Sequence, residues 1–238
     1  MRSMIAALAL LAADPAVAGD AAQLEILGFS ADGSIFAFEE YGIQDGSGFA
    51  YANRYYIETA TDSFVAGTPI RVRIDEEMSA IDDARDEARE QGQAIVDDAV
   101  LRANRGITAG FNAISEHSAD PLRMEVNPRL VFPPIDAPLE IRLEEIGLMP
   151  PELCEGLTQR HVGFRLLRIS HDPDIATELL HEDERVPESR GCTDGYRIGA
   201  IQTFFPDGAD PVYAVMIAVR RFGFEGPDHR WIAVPGKL

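Results

Sequence analysis

Beyond its opening residues this chain has no apolar run long enough to cross a membrane. The longest later candidate, residues 212–219, has the length of a strand, whereas a helical span needs about 18–20 apolar residues. Positive charge is also scarce: 21 Lys and Arg face 40 Asp and Glu, for a net charge of −19. Such a surface repels phosphate backbones and anionic head groups, which excludes nucleic acid and anionic membrane as generic partners. It permits a cationic ligand, a metal or a basic protein and selects none of them.

The motifs of the common chemistries are missing as well. No G-x-S-x-G occurs, and Gly46-Ser47-Gly48 is too short and too turn-like for a nucleophile elbow. His117, His161, His171, His181 and His229 lie far apart, without the paired spacing of a zinc site. In His181-Glu182-Asp183-Glu184 at most alternate members share a face if the segment is extended, so it reads as a solvated acidic stretch and not as a metal site. No EF-hand loop, P-loop or dinucleotide fingerprint is found, so no cofactor is implied. There are two cysteines, Cys154 and Cys192, and no C-x-x-C. In an oxidising compartment such a pair usually forms a disulfide, which would contribute roughly 4 kcal/mol in the chain-entropy model. Two free thiols or a thiolate nucleophile are the alternatives.

The first residues carry the clearest positive signal. Arg2 in a short polar start, an apolar run over 4–13 and the small-x-small Ala16-Val17-Ala18 before Gly19 make the three-part layout of a secretory signal peptide over 1–18. Residues 19–238 then form a single exported β-rich domain, periplasmic or fully secreted.

Residues 24–74 read as an antiparallel meander. Its runs at 24–29, 35–38 and 54–58 are rich in aromatic and branched residues and are punctuated by Ser30-Ala31-Asp32-Gly33 and Gln44-Asp45-Gly46. Residues 76–104 read as one long acidic helix. Met78, Ile81, Ala84, Ala88, Ile95 and Ala99 form its stripe, Asp75, Glu76 and Glu77 sit at its positive end, and Gly92 is a point where it could divide. Proline-rich 105–138 reads as loop, and 139–238 as a C-terminal β region. The fold class is β-dominated α+β, with antiparallel sheets arranged as a sandwich or as two blade-like meanders.

Two hairpins echo each other: Glu40-Tyr41-Gly42 leading to Arg54-Tyr55, and Arg221-Phe222-Gly223 leading to Arg230-Trp231. Glu39 and Glu40 are expected beside Arg220 and Arg221 on neighbouring strands. Ser30-Ala31-Asp32-Gly33 followed by a strand also resembles one blade of a TolB-type β-propeller, but only two blades can be counted, too few to close a propeller.

Polar and aromatic residues concentrate in two segments, and loops on a β scaffold are where binding usually resides. The candidate binding residues are Glu39, Glu40, Tyr41, Gln44, Asp45, Tyr51 and Tyr55 in the first, with Arg190 and Tyr196 in the second.

Residues 27–33 and 36–48 with Gly67-Thr68-Pro69-Ile70, and in the C-terminal half 180–183, 187–192, Tyr196-Arg197 and 223–228 with Arg230, resemble a family of predicted secreted bacterial proteins (domain of unknown function 2259). That resemblance implies export and assigns no catalytic residue. The reading reached is a non-catalytic module that binds a ligand or an envelope protein. The rivals are a hydrolase using Glu40, Asp45 or Glu182, and a structural envelope protein.

Overall fold

The structure is a computed structural model describing residues 19–238; the signal peptide expected over 1–18 lies outside the described residues. Three antiparallel sheets and two short helices make up the fold. In the first sheet, β1 (Gln23–Phe29), β2 (Ile35–Ile43) and β3 (Phe49–Glu58) are joined by β4 (Ser63–Phe64) and β5 (Ile70–Glu77), which share the far edge of β3. Helices α1 (Ile81–Gly92) and α2 (Asp98–Ala103) follow. Next come β6 (Ile107–Phe111), β7 (Arg123–Val126), β8 (Leu139–Gly147), β9 (Val162–Ile169) and β10 (Glu178–Glu182). The chain ends with β11 (Thr193–Phe204), β12 (Val212–Arg221) and β13 (Asp228–Lys237). Strands β7–β10 form one sheet in sequence order, and β13-β12-β11-β6 form the other.

The β6/β11–β13 sheet is the middle layer, and its sequence explains why. Residues 212–219 are apolar without a break, the pattern of a strand covered on both faces. Val212, Ala214, Met216 and Ala218 pack with Phe36, Phe38 and Tyr55 of the first sheet. The alternate residues Tyr213, Val215, Ile217 and Val219 pack with Ile141, Phe164 and Leu166 of the β7–β10 sheet. The outer face of the first sheet, bearing Ala50, Ala52, Tyr56 and Val72, is closed by Ala84, Ala88 and Leu101 of the helices. Four layers result, with helices on one side only.

Two expectations are corrected. The helix expected over 76–104 is two: β5 continues through Glu77, Met78 is exposed at φ 64°, and the acids at the start of α1 are Asp82 and Asp83. Gly92 ends α1 where a Cβ would run into the Tyr56 hydroxyl, and Asp97 restarts the helix by accepting from the Ala99 N–H at 2.6 Å. The presumed loop 105–138 contains β6 and β7. These strands are too short to show a period, and they exist because β11 and β8, distant in sequence, supply their partners.

The Glu39–Glu40/Arg220–Arg221 pairing is also corrected, because β2 and β12 lie in different sheets. Glu39 faces and pairs with Arg54 within its own hairpin, Arg220 donates to Asp194 of β11 at 2.7 Å, and Arg221 lies opposite Asp228 in the β12–β13 register. Glu39 is fully buried, accepting from Arg54 Nε at 2.8 Å and from Arg85 Nε at 2.5 Å. Arg54 in turn donates to both oxygens of Asp98, at 2.7 and 3.2 Å. Burial alone would lower the Arg54 pKa, and the Asp98 and Glu39 bonds outweigh it and hold it above the ordinary arginine value. This network docks α1 and α2 on the sheet. Glu39→Gln leaves buried guanidinium donors short of their anion, so we expect a loss of about 3–5 kcal/mol in urea unfolding. Glu25→Ala, at the network's partly exposed rim, should cost under about 1 kcal/mol. Equal effects would show that the network is not a buried one.

Candidate functional site

Where the middle layer meets the first sheet, the stack does not close completely. A pocket of about 360 Å³ opens between β2–β5, the β12–β13 hairpin, and the segment after β10. Its floor is apolar, with Phe38, Ile57, Val219 and Trp231. Its walls carry Glu40, Tyr55, Asp62, Arg71, His181, Ser189, Arg190, Arg221 and Arg230. An apolar pocket with a few convergent polar groups is the usual form of a small-molecule site.

Glu40 ties the two sheets together. One carboxylate oxygen accepts from Asn53 Nδ2 at 3.0 Å and Tyr55 Oη at 2.8 Å, and the other from the Trp231 backbone N–H at 2.7 Å. The Tyr55 phenol is held well above its ordinary pKa, first by burial and then by the Glu40 charge. Residues 20–22 run beside the start of β13, with the Ala22 N–H donating to His229 O and the His229 N–H to Asp20 O. This strap delivers Asp20, which accepts from Arg230 at 2.5 Å and from Tyr51 Oη at 3.1 Å. The Arg230 guanidinium lies 4.9 Å from the Tyr51 ring centroid.

The opposite wall is built on Asp183, which is buried at the end of β10. It accepts from the Phe164 N–H at 3.0 Å and from Arg190 at 2.6 Å, and its other oxygen meets His181 Nε2 at 2.9 Å. Burial pushes its carboxyl upward, but these bonds prevail and hold it below its ordinary value. Alternation separates this pair from Glu182, which turns to the other face and pairs with Arg165. Beyond Asp183 the wall is pinned by the disulfide between Cys192 and Cys154, whose Cα atoms are 5.3 Å apart. Cys154 ends a short 3-10 turn at Glu152–Cys154.

The candidate residues separate into groups. Glu40, Tyr55 and Arg190 line the pocket. Tyr51 supports Asp20 from behind, and buried Tyr196 packs on Phe164 at 4.9 Å. Glu39 faces the helices, and Tyr41 is covered by the Arg85 guanidinium at 3.9 Å. Gln44 and Asp45 lie in the β2–β3 turn, where Asp45 accepts from the Glu225 N–H at 2.8 Å. The two echoing hairpins therefore touch at their tips. Sequence reasoning missed Asp62, Arg71, Trp231 and the His181–Asp183 pair as site members. The echo had placed Arg221 and Arg230 at matching strand ends, the one signal pointing toward them.

Elsewhere, Glu125, Glu140 and His171 bring ligand atoms within 4.8 Å of one another. Glu140 is already held by Arg123 and Arg142, each at 2.8 Å, and Arg123 leads in pulling its carboxyl down to about 2. Two adjacent guanidiniums make that cluster a poor cation cradle.

The profile of the family described as Predicted secreted protein (DUF2259) matches residues 37–237. The chain belongs to this family. It thus shares the family's description as predicted secreted, which comes with no known function. Among curated proteins and among solved structures, none matches the chain. No helix of the described residues is long and apolar enough to cross a membrane. The matched residues include every pocket-lining side chain named above.

Asp62 offers a direct test of the pocket's electrostatics. It sits in the β3–β4 turn at φ 50°, a conformation Asp tolerates better than most residues. Its side chain is 33% exposed at the pocket mouth, yet the protein around its remaining surface desolvates it. Burial pushes its carboxyl up to about 6 against the pull of His181 and Arg190. The unfolded value is 3.8, so ionised Asp62 costs stability at neutral pH, and the cost disappears as pH falls through this interval. Asp62→Asn should therefore stabilise the protein at pH 7 by about 1 kcal/mol, once screening at the exposed edge is allowed for. Urea unfolding across pH should show this gain vanishing near pH 4. A gain that does not change with pH would contradict the assignment.

Proposed function

We propose that the chain acts outside the cytoplasm, in the periplasm or as a secreted protein, as a non-catalytic binding module whose small ligand sits in the three-sided pocket. The supporting observation is the convergence of Tyr55, Glu40 and Arg190, from both candidate segments, on one cavity with an apolar floor. The disulfide and the family's description as predicted secreted fit the location.

A hydrolase working through Glu40, Asp45 and Glu182 is less well supported. Glu40 already accepts three hydrogen bonds, Asp45 caps the neighbouring hairpin, and Glu182 faces away. The His181–Asp183 pair is the one feature that favours an acid–base role. Among the described residues, however, no hydroxyl or thiol hydrogen-bonds to His181.

Trp231 is the sequence's one tryptophan and lines the pocket, so its fluorescence reports on occupancy. A screen of small molecules should find ligands that change this fluorescence. At about 100 times Kd, such ligands should raise the melting temperature by ~5–10 °C. Ser189→Phe, which fills the rim, should abolish both effects and leave the unliganded melt nearly unchanged. Ligands acting equally on the variant would place binding elsewhere.

A further inference from the structure

Lys237 is the only lysine in the sequence, so nearly all the positive charge of this acidic chain is guanidinium. Four of those arginines, Arg71, Arg190, Arg221 and Arg230, come together on one pocket. Arg190 and Arg230 are committed, to Asp183 and Asp20 respectively. Arg221 is not. Among the described residues its side chain makes no hydrogen bond, and its nearest carboxylate oxygen, on Asp228, is 3.7 Å away.

Asp228 is itself occupied, accepting from the Asp20 N–H at 3.0 Å and lying 3.8 Å from Arg230. The Arg221 side chain is only 25% exposed. Burial, and then the like charge of Arg230, lower its pKa from the ordinary arginine value. A desolvated guanidinium beside a second one, with its planar fork of donors unfilled, is an unfavourable arrangement for an empty site. It becomes favourable when a planar or tetrahedral oxyanion fills the fork.

The fork is also held in place. The backbone of Arg221 is fixed by pairing with Thr193 and Asp228, and the Phe222 N–H donates to Cys192 O at 2.9 Å. Its stem rests against Gly191, where an added Cβ would lie 3.6 Å from Cδ. The disulfide thus anchors the same short loop that positions this side chain. Beyond the fork, Phe64 is 54% exposed and offers apolar surface, above a floor closed by Phe38, Ile57 and Trp231.

We propose that the pocket recognises a small oxyanion, a carboxylate or phosphate carried on an apolar body, with Arg221 as the principal recognition residue; this rests on the binding reading above. The oxyanion takes the Arg221 fork with Arg230 beside it, and the apolar body lies against Phe64.

The test is a titration of Trp231 fluorescence with four probes: phenyl phosphate, phenylacetate, benzyl alcohol and inorganic phosphate. One or both aromatic anions should bind at least about 10-fold more tightly than benzyl alcohol, and whichever binds better identifies the oxyanion. Arg221→Met should remove that advantage without changing benzyl alcohol binding. Arg221→Lys, which keeps the charge and loses the fork, should retain only part of it, and it carries the test if the methionine variant does not fold. If benzyl alcohol binds as well as the anions and Ser189→Phe blocks both, the pocket reading stands and the oxyanion proposal falls. If Ser189→Phe blocks none of the binding, the pocket reading itself fails. Inorganic phosphate matching phenyl phosphate would remove the apolar body, and no response to either aromatic anion would overturn the proposal outright.

Discussion

The eight residues of β12 from Val212 to Val219 are buried on both faces, and the rest of the fold is arranged around that fact. A sheet that is apolar on one side needs one cover; one that is apolar on both sides needs two. The first sheet supplies Phe36, Phe38 and Tyr55 on one side, and the β7–β10 sheet supplies Ile141, Phe164 and Leu166 on the other. Each cover is then left with an outer face. The first sheet hides its own under two short helices held by the Glu39–Arg54–Asp98 network. The β7–β10 sheet carries charge there instead, including the Glu140–Arg142 and Arg165–Glu182 pairs.

The pocket follows from the same packing. The β12–β13 hairpin reaches the open side of the first sheet, and Glu40, fully used by Asn53, Tyr55 and the Trp231 backbone, fastens the two together. What remains between them and the loop carrying Arg190 is the cavity. Polar side chains enter it from three independent elements, and Arg230 and Arg190 are neutralised from behind by Asp20 and Asp183. An acidic chain can therefore present guanidinium groups inward while its surface stays strongly negative.

Much of the fold was legible because local patterning and tertiary demand agree. The 212–219 run, the Ser30–Gly33 turn and the β9–β10 pair around Asp172 all read from sequence as they fold. The failures share one cause. Strands β6 and β7 are short and depend on partners about 90 and 17 residues away in the chain, information that no local window holds. Met78 fits a helical stripe by spacing, but it lies between β5 and α1, where the chain turns away from the core. The site was half visible. Composition flagged the segments with Glu40, Tyr55 and Arg190, but it could not separate these from Tyr51 and Tyr196, which serve the core. Nor could it show that Asp62, in the β3–β4 turn, and Arg221, at the end of β12, face one cavity.

If two-sided burial of the middle layer holds the stack together, its central strand should not open separately from the whole. Native-state hydrogen exchange followed residue by residue tests this most directly. The amides of Val215, Met216 and Ile217 should exchange only through global unfolding, with an opening free energy equal to that of urea unfolding and above that of any amide in β9 or β10. Exchange from β12 through a smaller, local opening, while β2 or β9 stays protected, would contradict the account.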